Sequence, residues 1–349
     1  MYNISFRKTI VFTVMILFVG TCFIPSIISD IGLNKNSYDI IKLPEPNFSD
    51  INLEISMCRR MSIRDFDEKS VTDQALSNIL WAAYGYTSNN KRTIHSVNNQ
   101  YSIIIYVIRK DGTFRYNPEN HTLELFRKGD YTFIGQYDSA PIKIGLVWNE
   151  KISADENLAW TEIGMIGQNI YFEVNSLNLG TVTTGSEVNQ LNLLILPINE
   201  KPLIIMPLGH PSINYDFSFN PIKMSNLPSI ENNTITLEDA INNRLETNKW
   251  TNEKLSDYEQ SQLIWASYGY SYLIDNLNDK RHRTVPSSHG TYPIIIYAIN
   301  QTGVYEYLPN NHSINKIIND NRIYNISQSI YSEIKLSILV WFLFMAPFP

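Results

Sequence analysis

Arg60, Ser62 and Arg64 fall at alternate positions of the run Arg60-Met61-Ser62-Ile63-Arg64-Asp65-Phe66. Two guanidiniums and a hydroxyl at that spacing can converge on one anion. Arginine offers paired donors to phosphate, and the serine adds a third. The same spacing also describes a solvated basic patch, so the run by itself leaves both readings open. Three further segments carry small or polar residues suited to close ligand approach. They are His95-Ser96-Val97-Asn98-Asn99-Gln100, the stretch from Asn178-Leu179-Gly180-Thr181 to Thr184-Gly185, and the stretch from Gly209-His210-Pro211 to Lys223. The histidines are scattered without paired ligand spacing, so no metal is expected.

These residues need elements to hold them. Ser70 or Thr72 can cap a helix whose Leu76, Ile79, Leu80 and Ala83 follow helical spacing. Ser102 to Ile108 is a continuous β-branched run, as in a buried strand. Lys110-Asp111-Gly112 reads as a turn, and Thr113 to Tyr116 as its hairpin partner. Glu156 to Ser176 places Ile163, Ile166, Ile170 and Val174 on one helical face. Leu203 to Met206 is another buried strand. Strands and helices around one sheet predict an α+β domain.

The chain also repeats itself. Ile79-Leu80-Trp81-Ala82-Ala83-Tyr84-Gly85-Tyr86 returns as Leu263-Ile264-Trp265-Ala266-Ser267-Tyr268-Gly269-Tyr270. Arg92-Thr93 returns as Arg283-Thr284, and Tyr101 to Tyr106 as Tyr292 to Tyr297. Tyr116, Pro118 and His121 return as Tyr307, Pro309 and His312, and Val147-Trp148 as Val340-Trp341. The expected organisation is an N-terminal segment 1–30, a linker 31–54, a complete domain 55–228, a linker 229–238 and a partial second copy 239–349.

The motifs together resemble the flavin-dependent nitroreductase family. The resemblance implies a nitroreductase-like fold, a mixed, mainly antiparallel sheet flanked by helices, in one complete copy plus one partial copy. It implies FMN as cofactor, with Arg60, Ser62 and Arg64 holding its phosphate and ribityl chain and Met61 contributing backbone. The segment holding Asn98 and Gln100 resembles the loop beside the flavin ring. Thr184 and Gly185 resemble the small-residue turn over the isoalloxazine, and Lys223 the basic phosphate contact near the domain's end. Arg283-Thr284-Val285-Pro286-Ser287 with Tyr292-Pro293 is similar to the SagB-type azoline-dehydrogenase branch. Family members are dimers whose flavins contact both subunits. Here Glu246 stands opposite Ser62 and Asn248 opposite Arg64, and a carboxylate facing phosphate repels it. The expected arrangement is therefore an intramolecular pseudo-dimer in which Ser287, Ser288 and Gly290 complete the first copy's site. The alternative is a homodimer of first copies.

A chain of 349 residues with 44% hydrophobic and 18% charged residues has the material for a real core. Its net charge of -6, without a long basic run, argues against nucleic acid as partner. Arg7 and Lys8 precede an apolar run from Ile10 to Ile28, which reads as a signal peptide or membrane anchor. That implies an exported protein, extracellular or held on the outer face of the membrane. Reduced nicotinamide is scarce there, so electrons taken from a small-molecule or peptide substrate, or from another donor, fit better. The competing reading is a degenerate binding module that keeps the fold without flavin.

Overall fold

The computed structural model describes residues 40–213, 227–231, 234–246, 253–275, 280–322 and 339–344. The apolar run 10–28 and Lys223 lie outside them. Among the described residues, no helix is long and apolar enough to cross a membrane.

The first copy is built on a seven-stranded sheet in the order β1-β4-β3-β2-β5-β7-β6. The strands are β1 (Ile40–Lys42), β2 (Ile103–Arg109), β3 (Gly112–Asn117), β4 (Thr122–Lys128), β5 (Ile142–Asn149), β6 (Gly180–Thr181) and β7 (Glu200–Gly209). The β2–β3, β3–β4, β2–β5, β5–β7 and β6–β7 ladders are all antiparallel. Three helices accompany it: α1 (Leu53–Arg59), α2 (Asp73–Tyr84) and α3 (Glu156–Ser176). Thr72 caps α2, its side chain accepting from the Ala75 amide, and the expected Leu76, Ile79, Leu80 and Ala83 face is buried. The Ile163, Ile166, Ile170 and Val174 face of α3 is buried too, and it joins the α2 face and the inner residues of β2 and β5 in the main core. The opposite face of the sheet is covered by Leu191 and Leu194, packed on Tyr106, Val147 and Ile205.

The second copy contributes α4 (Leu237–Asn242), α5 (Asp257–Tyr268), the ribbon β8 (Tyr270–Asp275) and β9 (Lys280–Arg283), and four more strands. These are β10 (Ile294–Asn300), β11 (Gly303–Leu308), β12 (Ser313–Ile318) and β13 (Leu339–Phe344), in the order β12-β11-β10-β13. That is the order β4-β3-β2-β5 of the first sheet. The register matches as well: Tyr106 faces Arg115 in one hairpin, and their equivalents Tyr297 and Glu306 face each other in the other.

Two segments read as linkers belong to the fold. Within 31–54, Ile40–Lys42 forms the edge strand and Leu43 is buried in the main core. Within 229–238, Ile235 and Leu237 pair with the first copy. Leu53 N donates to Ile235 O at 3.1 Å, and Leu237 N donates to Ile51 O at 2.9 Å. Leu227-Pro228 likewise takes the place in the second copy that Leu43-Pro44 takes in the first. The apolar runs are too short, and too broken by Pro and Asn, to show a period.

That reciprocal pairing centres on the bridge between Asn52 and its repeat equivalent Thr236, and the flanking bonds, Leu53 to Ile235 and Leu237 to Ile51, exchange under the repeat. It has the form of an isologous contact, as across a two-fold axis. Trp81, Ala82 and Phe172 of the first copy pack there on Leu237 and Ile241 of the second. Glu173 of α3 and Glu238 of α4 are buried beside them. Burial first, and the Glu238 charge second, push the Glu173 carboxyl up to about 8, while Asn78 pulls it back. A raised carboxyl retains its proton when folded and loses it when unfolded. The stability it contributes is fully present below its ordinary value near 4.5 and is lost as pH rises toward about 8. The loss is at most about 1.4 kcal/mol per pH unit. Glu173→Gln is therefore expected to gain stability over the parent between pH 5 and 8 in urea titrations. Parallel pH curves for the two proteins would contradict this assignment.

Candidate functional site

The run from Arg60 to Arg64 leaves α1 as an extended segment lying against β6. Ile63 N donates to Thr181 O at 2.9 Å. A Cβ on Gly180 would stand 2.6 Å from that of Ile63, so only glycine lets the two segments pass this closely. Alternation then divides the side chains. Met61 and Ile63 are buried with Phe66 and Ala140. Ser62 and Arg64 face a cavity of about 520 Å3, within the usual range for small-molecule and cofactor sites.

The walls come from both copies. The first supplies Ser62, Arg64, Tyr171, Ile204, Gln136-Tyr137 and the turn 182–186; the second supplies Pro286, Ser287, Ser288 and His289. Tyr171 OH accepts from the Thr183 amide at 2.8 Å and lies 3.1 Å from Ser62 Oγ. With the tyrosine proton given to Ser62 Oγ, the serine proton remains for a ligand. Thr184 is pinned by two backbone bonds to Ile205, each 3.0 Å. A Cβ on the next residue, Gly185, would meet nothing within 4 Å, so this backbone faces open space. Ser287 Oγ accepts from the Tyr292 amide at 2.9 Å, closing the loop that carries Ser288 and His289. His289 is held at φ 53° and pairs with Ser288 Oγ through Nδ1 at 2.9 Å.

Arg60 stands behind this wall. It is buried, its guanidinium lies 5.2 Å from the Tyr171 ring, and Nε donates to Arg283 O at 2.6 Å. Burial pulls its pKa below the ordinary value, and the nearby Tyr171 and Tyr292 oppose that shift. Its Nη1 is buried with no hydrogen-bond partner among the described residues. Arg64 and Ser62 on the cavity wall, with the buried Arg60 cation and its unpartnered Nη1 behind them, are a donor set that fits a phosphate-bearing cofactor.

The equivalent position in the second copy is already filled. Arg244 Nη2 donates to Arg92 O at 2.9 Å and to Ile94 O at 3.1 Å, while Nη1 pairs with Glu246 at 3.1 Å. Glu246 also meets His95 Nδ1 at 2.9 Å, and this bond holds its pKa below the usual carboxylate range. The carboxylate opposite Ser62 thus neutralises its own arginine. Arg60 reaching Arg283 O and Arg244 reaching Arg92 O are once more repeat equivalents.

Of the residues singled out in the sequence, Ser62, Arg64, Thr184, Gly185, Ser287 and Ser288 meet in one cavity. Met61 lies in the core, and Gly290 sits on the turn beside His289 but outside the wall. Asn98 and Gln100 belong to the first copy's version of that turn, with Asn98 at φ 56°, and they do not line the cavity. Tyr171, Gln136, Tyr137 and Ser186 carried no sequence signal. Pro286 and His289 lay in the repeated loop and could have been taken from it. The repeated tyrosines do not line the cavity: Tyr84, Tyr86 and Tyr101 enclose Arg92, as Tyr268, Tyr270 and Tyr292 enclose Arg283.

One repeated constellation looks like hydrolytic machinery and is not. Ser77 Oγ donates to Pro44 O at 2.5 Å, His121 Nε2 lies 2.7 Å from Ser77 Oγ, and Tyr116 OH lies 2.9 Å from His121 Nδ1. Ser261, Pro228, His312 and Tyr307 repeat it. The serine proton points to a carbonyl, away from the imidazole, so no base can activate the hydroxyl. Burial lowers both histidines, His312 to about 4, which suits neutral struts.

The nitroreductase family profile matches residues 58–210. The candidate nitroreductase MJ1384 of Methanocaldococcus jannaschii is 30% identical over 192 residues, covering 49% of this chain and 97% of that protein. Among solved structures, a candidate nitroreductase of Ralstonia eutropha is 29% identical over 50% of this chain and 91% of its own, with a TM-score of 0.46. One from Anabaena variabilis is 15% identical but covers 84% of this chain and 76% of its own, with a TM-score of 0.55, a likeness of fold.

Proposed function

The chain belongs to the nitroreductase family, and from that premise we propose that it is an exported FMN-dependent dehydrogenase of the SagB type with one composite site. The observation that carries this reading is the cavity walled by Ser62, Arg64 and Gly185 of one copy and Pro286 to His289 of the other. FMN, when bound, supplies hydride transfer at its N5. Arg64 and Ser62 hold the anionic end, with Arg60 fixed behind them. The bare backbone at Gly185 leaves room for a flat ring, and Pro286 to His289 would line the same space. The substrate is a small molecule or a peptide that gives or takes the hydride.

The reciprocal contacts support an intramolecular pseudo-dimer that makes one site per chain, since Glu246 and His95 occupy the other. They favour this arrangement over a homodimer of first copies. The apolar run 10–28 supports export or anchoring outside the membrane. One observation favours the second reading, a fold retained as a binding module: the site built around Arg244 is closed by its own ion pair.

The visible spectrum of the purified chain with added FMN separates these readings. Flavin bands are expected, with binding weakened about tenfold by Arg64→Ala through loss of one charge-assisted contact. A folded protein that stays colourless would transfer the assignment to the binding module.

A further inference from the structure

A second cavity, of about 430 Å3, lies outside that site, with Glu45, Phe48, Trp81, Tyr86, Glu119 and Asn242 in its wall. Its lining includes two carboxylates and neither lysine nor arginine. Neither Glu45 nor Glu119 has an ion-pair partner among the described residues. Phe48 and Trp81 stand with ring centroids 4.8 Å apart at 36°. Trp81 Nε1 donates to Tyr86 O at 2.8 Å, so its polar edge is satisfied inside the protein. Asn242 is fixed at the rim by two bonds to Ser88, of 2.8 and 3.0 Å.

The second copy acts as an internal control. Trp81, Tyr86, Pro118 and His121 recur there as Trp265, Tyr270, Pro309 and His312, and the indole bond recurs from Trp265 Nε1 to Tyr270 O at 2.9 Å. The carboxylates do not recur. Ser229 stands for Glu45 and Asn310 for Glu119, and Tyr270 OH donates to Asn310 Oδ1 at 2.7 Å. The Trp, Tyr, Pro and His of the wall are therefore common to both copies, whereas the two carboxylates, and Phe48, where the second copy has Asn232, are particular to one. The fold does not require that charge.

We propose that this cavity binds an organic cation, an ammonium or guanidinium on a short apolar stem. The carboxylates take the charge and the aromatic faces take the stem, a combination that attracts cations through both Coulomb and ring-quadrupole terms. Because Asn242 comes from the second copy, the bound cation would touch both copies. This assignment does not rest on flavin.

Calorimetric titration of the full chain tests it, with phenethylamine, its neutral isostere 2-phenylethanol, and N-acetyl-lysine methylamide as probes. Saturable binding of a cation about tenfold or more tighter than the alcohol is expected, weakening as salt is raised. The tighter of the two cations tells a free amine from a peptide side chain. Glu45→Gln with Glu119→Gln should remove the preference for charge while circular dichroism stays unchanged. Equal binding of amine and alcohol, no binding of either cation, or a preference that survives in the double variant would overturn the proposal.

Discussion

Leu237→Asp is expected to strip flavin from a cavity that this residue does not touch. Leu237 is fully buried in the apolar contact between the copies, and its amide donates to Ile51 O at 2.9 Å. A carboxylate there has no partner and no water, and costs about 3–5 kcal/mol. The first copy has its own core around Leu76, Ile105 and Ile166, so the loss falls on the joint. Once the joint opens, Pro286 to His289 leave the cavity wall and Arg60 loses Arg283 O. Circular dichroism should show a folded protein with a lowered Tm, and an FMN titration should show no saturable uptake. Leu237→Ala is the milder companion, expected to cost about 2–4 kcal/mol and to weaken uptake in proportion. A folded Leu237→Asp protein that binds FMN as tightly as the parent would refute the composite site.

Arg60→Ala carries the second large effect. The substitution removes a buried cation, leaves Arg283 O without its 2.6 Å donor and opens a hole behind Tyr171. A hydrogen bond to a charged group contributes about 1.5–3 kcal/mol. With the lost packing added, flavin affinity should fall about a hundredfold or more. Riboflavin, which lacks the phosphate, separates two modes of action. If Arg60 acts by holding the second copy's loop, FMN and riboflavin weaken alike. If its unpartnered Nη1 reaches the phosphate, FMN weakens more, as it should for Arg64→Ala. Arg60→Lys keeps the charge but loses both the Nε donor to Arg283 O and the guanidinium beside the Tyr171 ring, and should recover only part of the affinity. Affinities for both flavins within twofold of the parent would show that Arg60 has no part in the site.

Much of this fold could be read from local pattern. The α2 face, the β2 run and its hairpin, and the whole length of α3 follow from hydrophobic period and capping, which depend on near neighbours in sequence. So does the placing of Ser62 and Arg64 on one side, because an extended segment sends alternate side chains to opposite sides; Arg60, where that segment leaves α1, lies buried behind the wall. The internal repeat was visible for the same reason: it is a relation between strings.

The tertiary structure decided what those strings meet. Tyr171 comes beside Ser62 only because α3 packs across the segment leaving α1. Pro286 to His289 come beside Arg64 only because the two copies dock about the Asn52–Thr236 bridge. Arg60 and Arg244 are equivalent in sequence and nearly so in their carbonyl contacts, yet among the described residues Nη1 is left without a partner in Arg60 and is paired with Glu246 in Arg244. Which outcome each arginine has depends on charges brought close by folding, and Coulomb interaction follows distance in space, not order along the chain.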